Sequence, residues 1–265
     1  MRLILAPMWL SLAVLGAACV QTSTGSRSFD GSDRSSTDPA DAEKRASVRL
    51  ELAGGYYSRG QFDTALDQIK LALVAKPDFG AAYNMRGLIY GAMGEERLAD
   101  ESFERALALN PRDADAMHNR AWFHCQRGRY DEADRLFEQA LVQPQYRDPV
   151  RSLAAQGLCH ARAGKLGLAE QKLLRAFEID PTNPNTAYNL AEVLYRGNDF
   201  ERARFYIRRI NDRDEISNAQ TLWLATKIEN RAGNRNGVEQ LGRQLRARFP
   251  QSAEAQAYER GRFDE

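Results

Sequence analysis

Neither charge is in excess: 37 lysines and arginines stand against 36 aspartates and glutamates in 265 residues. A protein that grips duplex nucleic acid by its phosphates normally carries a basic surplus, so this balance argues against a nucleic-acid partner. Catalytic patterns are missing as well. The sequence has no GxSxG, no HExxH, no phosphate-cradling glycine loop, and no paired carboxylates that lack a plainer reason. No enzymatic activity, cofactor, metal or small-molecule substrate is therefore expected. Strand-like alternation of apolar and polar residues is absent too. Cysteine is scarce, with only Cys19, Cys125 and Cys159. What the chain does have is a hydrophobic fraction of 43%, enough for a substantial core.

The first eighteen residues, MRLILAPMWLSLAVLGAA, carry one basic residue, then an apolar run, then small residues that lead directly into Cys19. This is the grammar of an export signal rather than of a core helix. An ordinary secretory cut after Ala18 is one reading. A lipoprotein signal is the sharper one, with the Cys19 thiol acylated to become the mature N-terminus, although Gly16 stands where that pattern has Leu. Two or three acyl chains would anchor the protein durably, at roughly 0.8 kcal/mol per buried methylene. Val20 replaces the Asp that retains enterobacterial lipoproteins at the inner membrane, so the periplasmic face of the outer membrane is the expected location. From Cys19 to about residue 45 the composition is dominated by Ser, Thr, Asp and Gly, and a disordered tether is expected there.

Residues 46–265 read as helix throughout, broken by short polar turns. Pro77 and Pro111 lie 34 residues apart, and Pro181 and Pro250 close later units of similar length. With the proline as position 32, the second unit places Tyr83, Gly87, Tyr90, Ala99, Phe103 and Ala106 at positions 4, 8, 11, 20, 24 and 27. That is the tetratricopeptide pattern: small residues at 8 and 20 where the two helices of a unit approach, a small residue at 27 where the next unit docks, and large side chains filling between. Six units follow, near 46–79, 80–113, 114–149, 150–183, 184–218 and 219–252, with a C-terminal cap. About two extra residues fall in the loop QPQYRDP, Ile210 replaces the small residue of the fifth unit, and the sixth unit keeps Leu222, Ala225, Val238 and Leu245. The predicted fold is all-α, a right-handed superhelical solenoid.

In such a solenoid the first helix of each unit lines a concave groove, so a protein client is the expected partner. The groove positions hold Leu50 and Tyr57 in unit one, Asn84 and Leu88 in unit two, His118 and Trp122 in unit three, and Leu158 in unit four. Units five and six add Tyr188, Glu192, Tyr195, Trp223 and Lys227. This apolar and aromatic set suits an extended or helical peptide. Asn119 and Asn189 lack the basic partners that recognise a free carboxylate terminus. Cys125 and Cys159 fall on first helices of neighbouring units and are candidates either for a disulfide or for two buried thiols. His124 and His160 adjoin them, but neighbours on a helix diverge by about 100°, which leaves four zinc ligands unable to converge.

The segments NRAWFHCQRGRYDEA and AAQGLCHARAGKLGLAE, and the closing LWLATKIENRAGNRNGVEQLGRQLRARFPQS, make the chain after the tether resemble the type IV pilus biogenesis and stability lipoproteins, the PilW/PilF or pilotin family. The resemblance implies an outer-membrane lipoprotein that helps secretin subunits localise and assemble into their pore, and it implies a bridge between Cys125 and Cys159. The competing expectation is a periplasmic adaptor that organises peptidoglycan or polysaccharide-export enzymes through the same groove.

Overall fold

The computed structural model describes residues 39–264. The expected signal peptide, Cys19 and the tether up to Asp38 lie outside the described residues. Among those described there are thirteen helices and no strand. They pair as α1 (Pro39–Ser58) with α2 (Phe62–Ala75), α3 (Gly80–Met93) with α4 (Glu96–Leu109), and α5 (Ala114–Gln126) with α6 (Tyr130–Leu141). Next come α7 (Pro149–Arg162) with α8 (Leu166–Ile179), α9 (Pro184–Arg196) with α10 (Phe200–Asn211), and α11 (Ala219–Arg231) with α12 (Arg235–Arg248). A single helix, α13 (Ala253–Glu259), closes the stack.

The first helix starts earlier than composition suggests, inside the segment expected to be tether up to residue 45. Pro39 is its first residue and Asp41 lies in its first turn. Proline is pre-organised for that place and an acid there complements the helix dipole. Glu43 on this added stretch also pairs with Lys76, at the end of α2, which ties it to the first unit.

The period has a steric cause at each position. The side chains at position 24, namely Ile69, Phe103, Phe137, Leu173 and Ile207, are at most 1% exposed and fill the space between the helices of their units. Opposite them the chain must be thin. A Cβ on Gly87 would lie 2.7 Å from the Phe103 ring, and one on Gly157 would lie 2.6 Å from Leu173 Cγ and 3.1 Å from the Ala169 carbonyl. Gly157→Ala therefore reverses a general rule. The substitution normally gains about 1 kcal/mol in a helix interior, but overpacking against a fixed carbonyl costs about 1–3 kcal/mol. A lowered urea midpoint is expected, and a raised one would show that α7 and α8 are not held at this distance.

The turn inside each unit carries one residue in the left-handed region: Gly60, Gly94, Gly128, Gly164 and Gly233, with Asn198 (φ 63°) taking the place in unit five. The interval from Gly128 to Gly164 is the longest, which locates the extra residues in the loop before α7. The same register corrects unit six, where position 8 is Thr226 rather than Ala225. Thr226 is fully buried, and its hydroxyl donates to the Leu222 carbonyl at 2.7 Å. No helix among the described residues is long and apolar enough to cross a membrane.

Candidate functional site: the concave groove

Each second helix packs on the first helix of the next unit, and successive first helices also touch one another. Successive second helices lie farther apart and meet through side chains such as the Arg202–Glu170 ion pair and the Phe177–Tyr206 ring pair. The units therefore splay outward and the first helices form the inner, concave wall. On that wall a depression of about 490 Å³ spans α5, α7 and α9. Trp122 and Leu158 form its half-exposed apolar floor, with Arg162 4.9 Å above the Trp122 ring. Its polar rim comes from Arg151, Asn183, Asn185, Thr186 and Asn189.

Local sequence sets that rim. Asp148 accepts from the Arg151 backbone N–H at 3.1 Å, Asn183 accepts from Asn185 and Thr186, and Pro149 and Pro184 open the two helices. These caps fix where α7 and α9 begin, at the rim of the depression. A polar ladder runs along one edge and gives Asn119 a basic partner in the next unit, contrary to expectation: Arg151 Nη2 donates to Asn119 Oδ1 at 2.8 Å, and Asn119 Nδ2 donates to Asn84 Oδ1 at 3.2 Å.

Two residues expected in the open groove are covered. His118 is 5% exposed, its Nδ1 lies 2.8 Å from Ser152 Oγ, and its ring meets Phe137 edge-on at 5.5 Å. Ser152 in turn bonds to the Tyr146 hydroxyl of the inserted loop at 2.6 Å. Burial and then the nearby Arg151 charge push the His118 pKa down to about 3, so it is a neutral structural hinge between units. Trp223 is 8% exposed because Phe263 stacks on it, with ring centres 5.4 Å apart.

The remaining expected residues lie half-buried along the wall. Leu50 and Tyr57 pack on the unit-one core, with Tyr57 5.9 Å from Phe62, and Leu88 packs near Phe103. Tyr188 and Tyr195 pack on the cluster of units four to six. Lys227 lies 5.8 Å from the Tyr195 ring and 5.9 Å from that of Trp223. Burial first, then the charges of Glu192 and Glu254, raise the Tyr188 phenol.

Cys125 and Cys159 are bridged, with Cα atoms 5.7 Å apart, inside a pocket of Ala121, Ala133 and Phe137. This joins α5 to α7 directly beneath the groove floor. Among the described residues no group of three or more His, Cys, Asp or Glu side chains could hold a metal ion.

An interlock between units escaped the sequence reading. Position 11 of one unit meets position 21 of the unit before it: His160 Nε2 lies 3.0 Å from Asp134, His124 Nε2 lies 3.6 Å from Asp100, and Glu229 binds Arg204 at 2.7 Å. Burial holds both histidines below their ordinary pKa, so they act as neutral partners of these carboxylates at pH 7. The charge that follows the position-20 alanine in units two to five (Asp100, Asp134, Glu170 and Arg204) was the available signal.

Fold and groove together define a tetratricopeptide-repeat scaffold, a class that binds other proteins, and tetratricopeptide repeat models match residues 80–113, 102–135, 124–184 and 160–222. The chain is similar to PilW, described as a widely conserved type IV pilus biogenesis factor, with 31% identity, a TM-score of 0.73, and coverage of 80% of this chain and 97% of that one. It belongs to this PilW/PilF family of type IV pilus biogenesis repeat proteins. The type IV pilus assembly protein PilF of Pseudomonas aeruginosa is 25% identical over 210 residues, spanning 79% of this chain and 83% of the relative. A solved structure of Pseudomonas aeruginosa PilF superposes with a TM-score of 0.70 at 24% identity, over 83% of this chain and 99% of the other.

Proposed function

We propose that the chain is a pilotin-like lipoprotein on the periplasmic face of the outer membrane, whose groove takes up secretin subunits and promotes their localisation and multimerisation. The observation that carries this reading is the half-apolar depression across α5, α7 and α9 in a member of a pilus biogenesis family. Trp122 and Leu158 supply anchoring area, and Asn84, at the end of the ladder that Asn119 and Arg151 hold in place, offers its side-chain amide to an extended backbone. The bridge beneath the floor holds α5 and α7 in one arrangement, so little ordering is left to be done on binding.

A deletion strain tests the assignment. Heat-resistant secretin multimers should be lost from the outer membrane and return on complementation; their normal assembly without the protein would refute it. The lipid anchor has a separate check. Cys19→Ala is expected to move the protein from the membrane to the soluble fraction, and unchanged fractionation would count against acylation at that residue.

A further inference from the structure

The groove is partly filled at its C-terminal end by the chain itself. Helix α13 ends in a reversal: Gly261 takes a left-handed conformation (φ 66°), its N–H bonds to the Tyr258 carbonyl at 3.0 Å, and the Arg262 N–H returns to Ala257 at 2.9 Å. This double-bonded cap turns the chain back. It delivers Phe263 onto the Trp223 ring, with planes tilted by only 27°.

Phe263 also meets the Tyr258 ring edge-on at 6.3 Å, but the two aromatic residues cover different places. Tyr258 seals the core, since it occupies the space that a side chain at Gly242 would take. Phe263 instead covers position 5 of the last first helix, a groove position. Asp264 follows it closely enough that, after burial, its charge is one of the influences that raise the Tyr195 phenol. Beside Trp223 lies a depression of about 370 Å³, lined by Ala253, Glu254 and Arg260 of α13 and its end and by Arg262 of the returning segment.

We propose that residues 262–264 are a built-in occupant of the groove: Phe263 holds the place of a client's aromatic side chain on Trp223, and client segments that compete for it present an aromatic residue to that ring. This rests on the groove being the client site, but it is tested apart from pilus assembly. A tethered segment competes at an effective concentration of ~1 mM. Against a free segment with a dissociation constant of ~100 μM, it weakens apparent binding by about tenfold.

The probe is a fluorescein-labelled synthetic peptide, ERGRFDE, titrated by anisotropy into the full chain in detergent. Phe263→Ala should bind it about tenfold more tightly than the unaltered chain, whereas Phe263→Tyr, which keeps the stack, should not. Deleting residues 262–265, which leaves α13 and Tyr258 in place, should match Phe263→Ala and guards against a folding defect in either variant. Adding Trp223→Ala to the opened chain should abolish binding, as should the peptide ERGRADE. Equal affinity of the opened and unaltered chains, or no saturable binding to either opened chain, overturns the proposal. A failed titration leaves the secretin reading standing, and normal secretin multimers in the deletion strain leave this one standing.

Discussion

Reduction of the Cys125–Cys159 bridge is expected to lower the stability of the repeat domain by about 4 kcal/mol, the loop-closure value for a sequence separation of 34 residues. Both cysteines are nearly fully buried, and reduced thiols pack well as small hydrophobes, so the loss comes chiefly from the freedom regained by the unfolded chain. The effect is concentrated at one interface, because each unit of a solenoid contacts only its neighbours. Urea unfolding followed by circular dichroism, with and without reductant, measures it. A midpoint lowered by about 1.3–2 M is expected for a slope near 2–3 kcal/mol per molar. The Cys125→Ala/Cys159→Ala variant should match the reduced protein. An identical curve in both conditions, with two thiols that label freely before reduction, would contradict the bridge.

Glu229→Ala is expected to be nearly as damaging, at about 3 kcal/mol. Glu229 is 4% exposed and both its oxygens are engaged: Arg204 Nε donates at 2.7 Å to one, and Arg204 Nη2 and Asn234 Nδ2 each donate at 2.8 Å to the other. Removing the acid leaves the Arg204 guanidinium without its main partner at the junction of units five and six. A paired Glu229→Leu/Arg204→Leu change should recover much of the loss, since it removes both charges together. The carboxyl also predicts a pH dependence. Burial alone would raise it, but the hydrogen bonds from Arg204 and Asn234 outweigh burial and leave it below the ordinary glutamate value. The contribution is therefore complete above the ordinary glutamate range and is lost as the pH falls below it. The gap between the urea midpoints of the wild-type chain and Glu229→Ala should narrow as the pH is lowered from 7 through the depressed pKa of the folded carboxyl; a gap that persists unchanged would argue that the acid acts by packing alone.

The parts of this fold that were legible in the sequence are those where one residue type has one steric reason. Gly87 and Gly157 face Phe103 and Leu173 at a distance that no Cβ allows, so the 34-residue spacing announced the helix pairs and their order. The cysteine pair was legible as a candidate because the same spacing puts both on adjacent first helices. The groove was legible only in outline. Position 5 looked open in every unit, yet in unit three the inserted loop brings Tyr146 to Ser152 and His118, and in unit six the reversal at Gly261 lays Phe263 on Trp223. Both depend on segments outside the repeat, which the period does not describe. The interlock of His160 with Asp134 and of Glu229 with Arg204 was hidden for a related reason. Within a single unit each of those residues reads as a solvated or packing position, and only the stacking of two units brings them together. The early start of α1 came from Pro39 and Asp41, which composition alone had counted toward the tether.

The proposed function depends on a pilus client binding in the depression over α5, α7 and α9. Leu158 is half-exposed on its floor and can accept a charge without entering the core. In the deletion strain, a chain carrying Leu158→Asp, with helicity and melting midpoint unchanged, should fail to restore heat-resistant secretin multimers, whereas the unaltered chain restores them. Full restoration by Leu158→Asp would show that the client does not bind over this floor.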